Sequence, residues 1–252
     1  MRADSFFAKK YGSRTRAKDA LLSGKIFRGG KPLSPSDDVC EGDDFVFLND
    51  DEYVSRGAYK LLRGLDTFGE SVENKIFADL GASTGGFTDV LLRRGARHIY
   101  AVDVGKSQLD ARLAADDRVT VMDETNARYL TADSFPEPLD GAVSDLSFIS
   151  LQLILPAVSA MLEDGANAFV LFKPQFECGG KGLGKGGILP VRYHRALLGA
   201  FYRFCMQLGL APQNIVNAPL RERKNVEYVV FLKKGAAPLA EETFLMRAAR
   251  LI

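Results

Sequence analysis

Asp79-Leu80-Gly81-Ala82-Ser83-Thr84-Gly85-Gly86-Phe87-Thr88 decides the fold. The apolar run before it, 75–80, predicts a buried strand, and the stretch from Gly86 to Arg93 predicts a helix, so the segment reads as strand, glycine turn and helix. Small residues in such a turn let the backbone approach a bound molecule, and the opening helix offers free N–H groups. Asp103 follows 22 residues after Gly81, closing His98-Ile99-Tyr100-Ala101-Val102. An acid there accepts hydrogen bonds from ribose hydroxyls. A tight strand-to-helix turn would use the same glycines, but Asp103 in register points to an adenosine-containing cofactor at the C-terminal edge of a sheet.

The spacing is not that of a dinucleotide site. Gly81 and Gly85 are separated by three residues, and the loop begins with an acid, Asp79. Both features suit S-adenosylmethionine, which has no pyrophosphate to cradle. A second cluster, Gly179-Gly180-Lys181-Gly182-Leu183-Gly184-Lys185-Gly186, nearly spells a phosphate-binding loop. Gly186 stands where the magnesium-binding hydroxyl belongs, and Gly187-Ile188-Leu189-Pro190 delays the next helix, so a nucleoside triphosphate site is rejected. The cluster reads as a mobile basic lid able to meet phosphates.

Outward from the glycine turn, strands and helices alternate. Strands are predicted at 75–80, 97–103, 118–122, 140–144, 166–172, 213–217 and 226–232, and helices at 56–68, 86–93, 150–161 and 191–208. Near-continuous apolar strands between helices predict an α/β fold, a mostly parallel sheet covered on both faces. Residues 174–190 hold eight glycines or prolines and read as a long functional loop. Residues 146–162 carry no charge, but with Pro156 and several polar residues inside they read as a buried helix rather than a membrane span. Met1 to Ser5 lead into no apolar signal run, and three cysteines (Cys40, Cys178, Cys205) make no disulfide framework, so a reducing cytoplasm is expected. Two histidines and the absence of any C-x-x-C or H-E-x-x-H motif give no zinc set. Cys178 has no histidine near it in sequence, and His194 reads as structural.

The first fifty residues form a small α+β unit: a helix at 14–23 capped by Ser13 and stopped by Gly24, strands at 25–28 and 45–48, and a Gly29-Gly30 turn. Residues 1–31 hold nine Lys or Arg against two Asp, a net charge of +7, while 32–52 hold eight acids and no Lys or Arg. The basic segment suggests a polyanionic partner, unless the acids fold onto the same face and cancel its field. The expected division is 1–50 for this unit, 51–56 for a linker and 57–252 for the α/β domain.

Several blocks in order resemble the TlyA family of hemolysin-named, FtsJ-like ribosomal RNA 2′-O-methyltransferases. They are Ser13 to Ala17 with Leu22 to Ile26, Tyr53 to Leu61, Gly81 to Thr88, Asp145 to Ser150, Lys173 to Glu177 and Asn225 to Tyr228. The resemblance covers nearly the whole chain. It implies a Rossmann-like methyltransferase with a mixed, mostly parallel sheet, preceded by an S4-like RNA-binding domain. The family's Lys-Asp-Lys-Glu catalytic set falls on Lys60, Asp145, Lys173 and Glu227. Its S-adenosylmethionine site falls on Asp79, Gly81, Ala82, Ser83, Thr84, Gly85, Gly86, Phe87 and Asp103, with Asp123 and Asn126 flanking the adenine and Asp145 shared between the two sets. Tyr53 stands where some members have tryptophan, and Arg221-Glu222-Arg223-Lys224 where glycines are expected.

The chemistry suits these residue types. A ribose 2′-hydroxyl is a weak nucleophile, and methyl transfer from a sulfonium needs in-line approach and an activated oxygen, with no metal. Lys173 is the expected central base, with Lys60, Asp145 and Glu227 positioning it. A neighbouring lysine favours its neutral amine and neighbouring carboxylates its ammonium. Glu227 can join the others only if 226–232 runs antiparallel to the rest of the sheet. The expected partners are ribosomal RNA or ribosomal subunits, met through the basic N-terminal unit, with no membrane and no protein partner. Two alternatives stand beside this: a catalytically silent ribosome-assembly factor, and a membrane-active hemolysin.

Overall fold

The computed structural model describes residues 1–22, 26–28, 31–43, 45–47, 53–219 and 224–251. The chain divides into two compact units, Met1–Glu52 and Tyr53–Ile252. Tyr53 to Arg56, expected in a linker, therefore belong to the larger unit.

The smaller unit contains helices α1 (Ala3–Phe6) and α2 (Arg14–Leu22) and strands β1 (Ile26–Arg28), β2 (Lys31–Pro32) and β3 (Phe45–Phe47). The strands form an antiparallel sheet in the order β2-β1-β3. Ser13 caps α2 as expected, its Oγ accepting the Arg16 amide at 3.1 Å. Gly24, Gly29, Gly30 and Leu48 lie outside the described residues. Neither α1 nor β2 was anticipated. Ala3, Phe7, Ala17, Ala20, Leu21, Ile26, Leu33 and Val39 make the core. Part of the basic charge is spent inside the unit. Asp4 is buried, and its carboxyl is pulled down to about 2 by its hydrogen bond to Arg2, against the cost of burial, with Arg14 adding to the effect. Arg28 pairs with Asp43 at 2.9 Å.

The larger unit runs α3 (Ala58–Phe68), β4 (Ile76–Leu80), α4 (Gly86–Arg93), β5 (His98–Val102), α5 (Ala111–Ala114), β6 (Val119–Met122), β7 (Leu139–Ser144), α6 (Leu155–Met161), β8 (Leu162–Phe172), α7 (Pro174–Glu177), α8 (His194–Gln207), β9 (Leu210–Asn217), β10 (Tyr228–Lys234) and α9 (Glu241–Ala249). Its sheet has the order β6-β5-β4-β7-β8-β10-β9. β4 to β8 are parallel, and β10 runs antiparallel between β8 and β9. The chain leaves β4 toward β5 and β6, then returns to β7 on its other side. Ligands of open α/β sheets bind outside the carboxyl ends of the strands at such a switch point.

Alternation along each strand builds two cores. Ile76, Ala78 and Leu80 face Leu155, Val158 and Phe201 on one side. Phe77, Val143 and Phe169 face Leu61, Leu65, Val90 and Leu91 on the other. Three elements differ from expectation for local reasons. The helix expected at 150–161 is a 3-10 turn at Leu151–Leu153 followed by α6, because Pro156 lacks an N–H and fits only the first turn of a new helix. β9 extends back to Leu210 through Pro212, which an edge strand tolerates because one side of its backbone is unpaired. The expected loop at 174–190 opens with α7, and its far end is tied down: Asn225 accepts the Leu189 amide at 2.8 Å and donates to Gly187 O at 3.0 Å. Among the described residues, no helix is long and apolar enough to cross a membrane.

Candidate active site

Asp145 follows β7, Lys173 follows β8, and Lys60 lies in the first turn of α3. Glu227 immediately precedes β10 and reaches the same edge because β10 is antiparallel; Tyr228 pairs with Phe172, so Glu227 and Lys173 leave adjacent ladder ends. Pro174 holds Lys173 in an extended conformation and begins α7. Lys60 Nζ lies 3.1 Å from Asp145 Oδ2 and 2.9 Å from Glu227 Oε2, and Lys173 Nζ lies 2.7 Å from Asp145 Oδ1. The order Glu227, Lys60, Asp145, Lys173 is therefore a chain of alternating charge that sums to zero.

Lys173 is only 4% exposed, so its ammonium needs a partner, and Asp145 supplies it. It also donates to Ser147 Oγ at 2.7 Å. Burial raises the Asp145 carboxyl, but Lys60 and Lys173 together hold it below its usual range. Burial likewise works against the Lys60 ammonium, and the carboxylates of Asp145 and Glu227 reverse this and raise it. Gln175 donates to the remaining Glu227 oxygen at 3.4 Å. A cavity of about 160 Å³ opens beside Lys60 and Glu227, lined also by Gln175, Lys224 and Asn225.

The glycine turn lies at the end of β4, next to β7. Gly81 has φ +82°, and a Cβ there would sit 2.6 Å from Leu146 Cδ2, so only glycine lets the residue after Asp145 close over the loop. Gly85, at φ +95°, starts α4, and a Cβ on it would lie 2.3 Å from Leu113 Cδ1. Asp103 accepts the Ser83 amide on one oxygen and the Gly105 amide on the other, both at 2.8 Å. Each oxygen keeps a lone pair for a further donor. Asp123 accepts the Ser107 amide at 2.7 Å, and Asn126 caps the 3-10 turn at Ala127–Tyr129. The Thr125 amide bonds Asp103 O at 2.9 Å, bringing these residues to one rim. Asp79 is 1% exposed and accepts the Thr88 hydroxyl at 2.7 Å; burial pushes it up to about 7, partly offset by Thr88. Among the described residues, Asp79, Asp103 and Asp123 form no ion pair.

The sequence profile of the family described as FtsJ-like methyltransferase matches residues 53–234. The chain belongs to the FtsJ-like methyltransferase family. Within it, the chain is 40% identical over 227 residues to the 16S/23S rRNA (cytidine-2′-O)-methyltransferase TlyA of Mycobacterium tuberculosis, covering 88% of this chain and 84% of that one. It is 37% identical over 222 residues to Hemolysin A of Brachyspira hyodysenteriae, covering 86% and 92%. The solved structure of a hemolysin-named protein from Streptococcus thermophilus is 34% identical, with a TM-score of 0.77 over 99% of this chain and 96% of that one. The resemblance read from the motif blocks is thus a family membership.

In this FtsJ-like domain, Lys60, Asp145, Lys173 and Glu227 come together, while the loop residues divide. Gly81, Ser83 and Thr84 remain accessible, whereas Ala82, Gly85, Gly86 and Phe87 are buried, Phe87 within the core beside Leu61 and Val90. Their part in any cofactor site is to shape the backbone. Sequence reasoning missed Ser147, Gln175, Glu177 and the Phe148–Phe176 pair. Phe148 is 90% exposed with φ +64°, and its ring centroid lies 5.3 Å from that of Phe176, over which Lys173 Nζ sits at 5.8 Å. All five positions lie inside the blocks quoted above, but nothing in their spacing distinguishes them from packing residues. His194 is buried, bonded to the Tyr228 hydroxyl at 2.9 Å, and burial lowers its pKa, which makes it an anchor of the β10 start.

Proposed function

We propose that the protein transfers a methyl group from S-adenosylmethionine to a ribose 2′-hydroxyl of ribosomal RNA. The observation that carries this is the neutral chain Glu227–Lys60–Asp145–Lys173 beside the glycine turn. The turn suits the cofactor. Asp103 and Asp123 line a rim where a sulfonium and an ammonium would be welcome, with Asp79 buried at the end of β4, and Asp103 keeps acceptor capacity for ribose hydroxyls. Gly81, Ser83 and Thr84 with Asp79, Asp103, Asp123 and Asn126 would hold it. When bound, it supplies an electrophilic methyl.

The chain's own residues handle the hydroxyl. Lys173, buried and steered by Asp145 and Ser147, orients the 2′-oxygen; its ammonium first gives up one proton to solvent, and the amine so formed takes the hydroxyl proton as the methyl is transferred. Lys60 holds Asp145 and Glu227 in place so that neither carboxylate drifts toward the nucleophile. The exposed Phe148 ring beside them offers a stacking face for an unpaired nucleobase. The exposed Lys181 and Lys185 of the glycine-rich lid, with Lys224, suit backbone phosphates. The small basic unit, S4-like by resemblance, recruits the RNA. The relative named for cytidine supports cytidine as the target, and a ribosomal RNA substrate supports a cytoplasmic location.

The test is transfer of labelled methyl from S-adenosylmethionine to unmodified ribosomal subunits and to naked ribosomal RNA. Label at a linkage resistant to alkali is the expected result. No label on either, with the cofactor shown to bind, would overturn it in favour of an assembly role.

A further inference from the structure

We propose that Glu177 is a positioning residue for this reaction: its carboxylate pins the end of the loop from Asp145 to Ser150 and thereby holds the Phe148 ring outward. Glu177 is the last residue of α7, which begins immediately after Lys173. Its Oε2 accepts the Ser150 hydroxyl at 2.6 Å and its Oε1 accepts the Leu151 amide at 2.8 Å. Ser150 Oγ in turn accepts the Gln152 amide at 3.1 Å, so the three residues close the N-terminus of the 3-10 turn at Leu151–Leu153.

The two segments are fastened at three points in register. Asp145 meets Lys173, Phe148 meets Phe176, and Ser150 with Leu151 meets Glu177. Phe148 lies between the two polar fastenings in the left-handed region, which a bulky side chain avoids. Such a conformation persists only where the surroundings over-determine it, and strained residues of this kind gather at functional sites. Asp145 is held by two lysines at one end, and Glu177 ties both the Ser150 hydroxyl and the Leu151 amide at the other. Freed at Ser150, the turn would relax and Phe148 would lose its fixed direction, while the glycine turn on the far side of Asp145 would be untouched. The catalytic consequence rests on the reading of Phe148 as a face for the nucleobase; the pinning itself does not.

The chain has no tryptophan, so Phe148→Trp gives it a single fluorescent reporter at the turn. In that background, Glu177→Ala should lower the anisotropy of the introduced indole and increase its quenching by acrylamide, whereas Glu177→Gln, whose amide can still accept from Leu151, should restore both. Against ribosomal RNA, Glu177→Ala in the native chain should lower kcat/KM about tenfold with the dissociation constant for S-adenosylmethionine unchanged, the size expected from a lost hydrogen bond to a charged group. Added to Phe148→Ala, it should cost less than about twofold more, because both act through one ring. Ser150→Ala, a milder change, should move the indole in the same direction if Glu177→Ala folds poorly. Unchanged anisotropy in Glu177→Ala and Ser150→Ala, or full additivity with Phe148→Ala, would overturn the proposal. A wild-type protein that transfers no methyl to RNA would instead overturn the reading of the site, and the indole measurements would still decide the pinning.

Discussion

The two edges of the site manage charge in opposite ways. Around Lys173, four ionised side chains neutralise one another, each carboxylate answered by an ammonium within about 3 Å. Around the glycine turn, Asp79, Asp103 and Asp123 are answered by backbone amides and a hydroxyl. A closed, neutral cluster is suited to moving one proton without accumulating charge in a buried place. At the rim, Asp103 and Asp123, bonded to neutral amides, keep their negative potential for an incoming cation. On the proposed reading, the difference separates the group that accepts the methyl from the group that delivers it, and each edge should be open to disturbance without the other.

The largest expected effect is at the shared carboxylate. Asp145→Asn removes the counter-charge of both lysines and should lower kcat by about a hundred- to ten-thousandfold, measured as single-turnover methyl transfer at saturating cofactor. A loss of only a few-fold would mean that the neutral cluster is structural. At the opposite edge, Asp103→Asn should weaken S-adenosylmethionine binding about tenfold by calorimetry and leave kcat at saturation nearly unchanged. An equal fall in kcat would show that the edges are not separable.

Asp79 sharpens the comparison through pH. Its carboxyl is near 7 in the fold, above its ordinary 3.8, so folding takes up a proton between those values. Stability from this group is therefore lost as pH rises from about 4 to about 7, each unit counting for at most about 1.4 kcal/mol. Asp79→Asn should raise the Tm of the cofactor-free protein more at pH 8 than at pH 5. In the wild type, cofactor affinity should fall as pH drops below 7, because a neutral Asp79 no longer favours a cation. A pH-independent affinity would remove Asp79 from the cofactor edge. The smallest effect concerns the N-terminal unit: changing the exposed Lys9 and Lys18 to alanine should lower the salt slope of RNA binding by about 1 to 2.

Much of this is legible in the sequence. The glycine turn and its Asp103 partner gave the sheet edge, and the requirement that Glu227 meet Lys173 demanded an antiparallel β10, which the sheet has. Periodicity is local, and β4 to β8 are long enough in apolar residues to declare themselves. Features that depend on tertiary context stayed hidden. No pattern marks β2, only two residues long, or the break that Pro156 makes between Leu153 and Leu155. The Glu177 bonds to Ser150 and Leu151 span 26 or more residues, and the left-handed turn at Phe148 has no glycine to announce it. The basic N-terminal segment was readable as charge, but its internal use by Asp4 and Asp43 was not.

The most direct test of the separation between the edges is Lys173→Ala, assayed twice on one preparation. Calorimetry with S-adenosylmethionine should give wild-type affinity within about twofold, since among the described residues Lys173 meets Asp145, Ser147 and the Phe176 ring and none of Asp79, Asp103 and Asp123. Labelled methyl transfer to unmodified ribosomal RNA should disappear. Turnover largely retained with the cofactor bound would contradict the assignment of Lys173 as the residue that handles the hydroxyl proton, and with it the division of labour between the two edges.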